Sequence, residues 1–132
     1  MVLEPYVEVM YGIQSALEQD LTALPLQEMA EWRVKATCAW LTCGAAKRLL
    51  WWAKENEGYS NVEDEGSYIQ QGPLYEGPAV MCFERWQFWM DRLQQLAKED
   101  SGLSEETRQT ALETVQTMKK VHESLLKIWS ES

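Results

Sequence analysis

His122 is the only histidine in the 132 residues. Its imidazole is the one side chain here whose unperturbed proton equilibrium lies near neutral pH. It stands on an apolar stripe with Ala111, Val115, Met118, Leu125 and Trp129. A half-buried imidazole could serve as a general base. The plainer reading is a core histidine hydrogen-bonded to a neighbour. Arg85 is a second candidate. It flanks Trp86 and lies about 40° from Trp89 on a helical wheel. There it could stack on a ring or clamp a carboxylate at the edge of a cleft. The adjacent Glu84 points away and reads as a surface carboxylate. The chain holds seven tryptophans. Trp86, Trp89, Trp40 and Trp52, with Tyr68 and Tyr75, could line a cleft for a flat or hydrophobic ligand. A large aromatic core is the alternative. Trp51 and Trp52 are neighbours in sequence and diverge by about 100° on a helix. At least one of them should be partly exposed or covered by a loop.

Other chemistry finds no pattern. Glu63-Asp64-Glu65 lacks the alternating spacing of a calcium loop. No phosphate-binding glycine loop, nucleophile elbow or zinc-binding helix motif occurs, so no cofactor and no metal is expected. Formal net charge is −9, from 21 acidic and 12 basic residues. That balance disfavours nucleic acid and anionic membranes as partners. It fits an uncharged small molecule or a basic protein better. Three cysteines make an odd count, and Cys38 and Cys43 face different sides of a helix. Three reduced thiols are expected, in a reducing compartment. The N-terminus shows no basic segment followed by an apolar run, so no secretory signal is expected. No uninterrupted apolar stretch reaches membrane-spanning length. A cytoplasmic location is the expectation.

These candidates must be positioned by helices. Tyr6, Met10, Ile13, Leu17 and Leu21 recur at helical spacing and predict a helix over roughly 4–21, with Pro5 in its first turn. Pro25 opens a second, longer helix to about Asn56. From Ala36 to Ala46 it is apolar or small on every side, which predicts burial. Gly44 would permit close approach of a neighbour, and a kink there or an overhang into a second subunit are both open. Residues 56–78 hold four glycines and two prolines, and read as a loop whose second half packs down. Pro78 opens a third helix to about Lys98, with Cys82, Trp86, Trp89, Leu93 and Leu96 as its core stripe. Ser104 is an N-cap candidate for a last helix to about Ser130, supported by Glu105 and Glu106 at the positive end of its dipole.

Gly72-Pro73-Leu74-Tyr75-x-Gly77-Pro78 and Glu84-Arg85-Trp86-x-Phe88-Trp89 resemble a fungal family known as domain of unknown function 3632. The resemblance spans roughly residues 25–122 and is specific in the middle third. It implies a helical fold and a filamentous-fungal origin, and it implies no activity.

The sequence thus predicts one all-α domain over residues 1–132. Its architecture is a compact four-helix bundle with a long buried second helix and a Gly/Pro loop before the third. The leading functional expectation is a hydrophobic or aromatic small molecule bound in an aromatic cleft beneath the 72–78 loop. Cofactor-free isomerisation or cyclisation in secondary metabolism is the chemistry such a cleft could support. The rival is a protein–protein interaction module, such as a homodimer formed through Trp51, Trp52 and the second helix.

Overall fold

The structure is a computed structural model that describes residues 4–57 and 69–131, with side chains from residue 7 onward. Tyr68, one of the candidate cleft residues, lies outside the described residues. The described residues form five α-helices: α1 (Glu4–Leu17), α2 (Gln27–Thr42), α3 (Ala45–Glu55), α4 (Phe83–Leu96) and α5 (Glu105–Ser130). Two short 3-10 turns stand at Leu21–Ala23 and Glu99–Ser101. No strand occurs among the described residues. The long helix α5 packs along α2 and α4, and α1 packs on α2. No helix among the described residues is long and apolar enough to cross a membrane.

The stripes read from the sequence are the faces that the core uses. Met10, Ile13 and Leu17 of α1 are buried. So are Trp86, Trp89, Leu93 and Leu96 of α4, and Ala111, Val115, Met118 and Leu125 of α5. Ser104 caps α5, its hydroxyl accepting from the Thr107 amide at 3.2 Å. Cys38, Cys43 and Cys82 are free thiols.

Three boundaries differ from the expectation. The single helix predicted over 25–56 is two helices. Gly44 takes a left-handed conformation, φ 105°, where a side chain costs about 1–2 kcal/mol, and the chain turns there from α2 into α3. Nor is that region buried all round, since Ala39, Trp40, Thr42 and Cys43 are exposed. Helix α4 begins at Phe83 rather than Pro78. Residues 69–82 are held extended or in turns: the Ile69 amide donates to the Ala79 carbonyl at 2.8 Å. The Tyr75 hydroxyl donates to the Pro78 carbonyl at 3.0 Å. Asn56, at the end of α3, donates to the Met81 carbonyl at 3.0 Å and fixes the entry to α4. Helix α1 stops at Leu17, four residues short of the prediction, because Glu18 and the segment after it serve another purpose.

Candidate functional site

Glu18 and Arg85 are both fully buried, with side-chain exposure of 0%. The pair is a two-pronged ion pair. Arg85 Nε donates to Glu18 Oε2 at 2.8 Å, and a terminal nitrogen donates to Oε1 at 2.9 Å. The planar guanidinium fits the two carboxylate oxygens, which a lysine cannot do. Arg85 also donates to the carbonyls of Ile69 at 2.9 Å and Gln70 at 3.0 Å. Trp89 Nε1 donates to Glu18 Oε2 at 2.7 Å, and the Gly72 amide to Oε1 at 2.9 Å. The Tyr75 ring lies 4.9 Å from the guanidinium carbon. A buried charge pair is tolerable only when its remaining lone pairs and protons are satisfied, and these contacts engage both carboxylate oxygens and four of the five guanidinium protons.

The loop is clamped to this centre. The Leu74 amide donates to the Glu18 carbonyl at 2.9 Å. Gln14, one turn before Glu18, donates to the Gln70 carbonyl at 2.8 Å. A Cβ at Gly72 would lie 2.6 Å from Glu18 Cβ and 2.7 Å from its carbonyl oxygen. Gly72 is thus required by close approach. The Gly/Pro loop and the Glu-Arg-Trp-x-Phe-Trp helix start are two halves of one polar lock inside the core.

This corrects the expected role of Arg85. It is not at the edge of a cleft, because four of its five donors are engaged by Glu18 and two backbone carbonyls. Trp86, Trp89 and Trp52 are likewise core residues, exposed by 1% or less. Trp40 lies apart from them: it packs against Gly12 of α1 and is 37% exposed. Tyr75 alone of the described cleft candidates lines a groove beneath the 72–78 loop. That groove is open, of about 570 Å3, with Tyr75 and Phe88 as floor and Glu76, Glu84 and Asp91 at its rim. The acidic rim disfavours the carboxylate ligand that Arg85 was expected to clamp.

His122 stands elsewhere, in a second group of rings. Its imidazole stacks on Phe83 with centroids 5.5 Å apart and planes 6° from parallel. Trp86 and Trp129 meet it edge-on at 6.3 and 6.4 Å. Trp129 packs against Trp51 at 5.5 Å, and Lys54 Nζ lies 5.6 Å from the Trp129 ring centre. Phe83, His122, Leu126 and Trp129 line an open groove of about 450 Å3, with Lys54, Glu57 and Ser130 at its margin. Lys54 and Glu57, three residues apart at the end of α3, pair at 3.4 Å on that margin. Burial among the rings lowers the His122 pKa from its ordinary value of 6.5, because desolvation disfavours the imidazolium. That shift favours the neutral imidazole, in which one nitrogen can accept a proton or hydrogen bond.

Sequence reasoning missed Glu18 and Phe83. Glu18 carried a signal, since a carboxylate four residues after Gln14 borders the apolar stripe of α1 and needs a partner if buried. Its partner lies 67 positions away, and sequence spacing cannot name it. Phe83 sat unread between Cys82 and Glu84, because the helix start was placed at Pro78.

No curated protein and no solved structure gives a significant match to the chain. A family model described as a protein of unknown function (DUF3632) matches residues 5–93. The matched segment contains the whole polar lock, from Glu18 through Gly72 and Arg85 to Trp89, and stops before α5. The chain belongs to this family of unknown function.

Proposed function

We propose that the chain binds a flat, apolar small molecule in the groove beside His122, with the imidazole accepting a hydrogen bond from it. One observation carries this reading: a half-buried imidazole, stacked on Phe83 and met edge-on by Trp86 and Trp129, stands at the wall of an open groove. The groove volume lies within the range of small-molecule sites. Aromatic walls supply apolar area and stacking, and a single acceptor supplies orientation. A ligand with one acidic proton, such as a phenol or an enolisable ketone, suits such a site. Proton transfer without a cofactor is the chemistry a neutral imidazole there could perform.

The test uses 2-naphthol as probe, followed through tryptophan fluorescence. Saturable quenching is expected. His122→Phe keeps the ring stack and removes the acceptor, so affinity should fall roughly two- to tenfold, the scale of one neutral hydrogen bond. Trp129→Leu should weaken binding further, while Tyr75→Phe in the other groove should leave it unchanged. Saturable quenching that is indifferent to both His122→Phe and Trp129→Leu would sink the proposal.

A further inference from the structure

Helix α2 has two apolar faces, and the core uses one. Ala30, Val34, Thr37, Cys38 and Leu41 are buried. On the far side Met29, Trp32, Ala36, Ala39 and Cys43 recur at intervals of three and four. That is the spacing by which one helix seats another. Trp32 is 77% exposed, and Leu26, at the start of the helix, is 60% exposed. Beside Trp32 lies an open groove of about 420 Å3, walled by Leu26, Met29 and Trp32, with Glu28 and Lys35 at its rim. A large projecting ring thus stands next to an apolar hollow.

We infer that this face binds a second copy of the chain, with the two α2 helices antiparallel and Trp32 of each copy seated in the Leu26–Met29 groove of the other. Two features select a second copy over an unrelated partner. The first is shape: ring and groove are adjacent on one face, which a two-fold axis makes self-complementary. The second is charge. Glu28 and Lys35 stand seven residues apart on the same flank of the seam. In an antiparallel pair that sets Trp32 opposite Met29 of the other copy, Lys35 stands opposite Leu26, about 3 Å along the axis from Glu28 at 1.5 Å per residue, a gap its long side chain spans, so two reciprocal ion pairs form. The other acidic residue at this groove, Glu31, is already engaged by Ser104 and Thr107 of the same chain. Lys35 is held only loosely within its own chain, 3.9 Å from the exposed Glu106. Glu28, Glu31 and Lys35 leave the groove with one net negative charge per copy, a small part of the −9 that the chain as a whole carries. Its length is modest: Leu26 to Lys35 spans about 14 Å at 1.5 Å per residue. A contact of that length falls at or below the lower end of specific interfaces, so the association is weak and reversible, with Kd in the micromolar range or above.

Sedimentation of the full chain from about 1 to about 500 µM, a span that covers the micromolar range, tests the inference. The weight-average mass should rise from the 15.3 kDa of one chain towards twice that value. Trp32→Glu should remain monomeric throughout, with an unchanged melting temperature because the ring is exposed. Glu28→Lys and Lys35→Glu should each weaken dimerisation about tenfold, the scale of two exposed ion pairs reversed. The double variant Glu28→Lys/Lys35→Glu should restore it, as should mixing the two single variants. A monomer at every concentration overturns the inference. So does a Trp32→Glu variant that associates like the parent, or a charge swap that fails to restore the dimer.

Discussion

Replacing Arg85 by alanine should be among the most damaging single changes in this protein. The substitution removes both prongs on Glu18, the donors to the Ile69 and Gln70 carbonyls, and the cation over Tyr75. Glu18 stays buried at 0% exposure, with only Trp89 Nε1 and the Gly72 amide to solvate its charge. Removing one partner of such a pair costs about 3–5 kcal/mol. That is a large share of the roughly 5–15 kcal/mol by which a domain is stable. At about 3–5 °C per kcal/mol for this chain length, the melting temperature should fall on the order of 10–20 °C. Thermal melts followed by circular dichroism at constant pH give the value, and urea titration gives it independently. Arg85→Lys should recover only part of the loss, because one ammonium cannot span both carboxylate oxygens. Glu18→Leu combined with Arg85→Met removes both charges and should be less harmful than Arg85→Ala alone, although the two loop carbonyls remain unpaired. A melting temperature for Arg85→Ala within about 3 °C of the parent, less than the shift from 1 kcal/mol, would refute the lock. That outcome is the one expected of an arginine at a cleft edge.

Two further outcomes follow from the same geometry. Gly72→Ala forces a methyl group against Glu18 Cβ and its carbonyl oxygen, and should cost about 1–3 kcal/mol by overpacking, read as a lower midpoint in urea. The lowered pKa of His122 sets a sign for pH dependence: near and below pH 6.5 the unfolded chain takes up a proton that the folded chain does not, so stability falls as pH falls through that range. His122→Phe should flatten the difference between melting temperatures at pH 7 and pH 5.5, and an unaltered difference would show that the imidazole is not desolvated.

The helices were legible because apolar side chains on one face repeat along each of them. Met10, Ile13 and Leu17 announce α1, and Trp86, Trp89, Leu93 and Leu96 announce α4, without reference to any distant residue. The same logic failed between Ala36 and Ala46. Small and apolar residues on every side read as burial, yet half of them face outward, because periodicity reports that a face is apolar and not what covers it. The site was legible in its ingredients and not in its pairing. Tyr75, Arg85, Trp86 and Trp89 were recognised as belonging together, but Arg85 and Trp89 meet at Glu18, just past the end of α1, Tyr75 joins them through Arg85, and Trp86 packs against His122 instead. Electrostatic pairing across 67 positions leaves no local trace. His122 was noted for its chemistry, whereas its stacking partner Phe83 depended on where α4 starts.

The separation between Glu18 and Arg85 also has a meaning for a chain that is made from one end. Glu18 leaves the ribosome 67 residues before Arg85, a delay of roughly 3–13 s at ordinary rates of synthesis. During that interval the carboxylate has no cation to accompany it into an apolar interior, and burying it alone would cost several kcal/mol. The end of α1 must therefore stay wet while α2 and α3 are being made. Its charge acts as a timer, holding the first helix away from premature partners until α4 arrives with the guanidinium that admits it to the core.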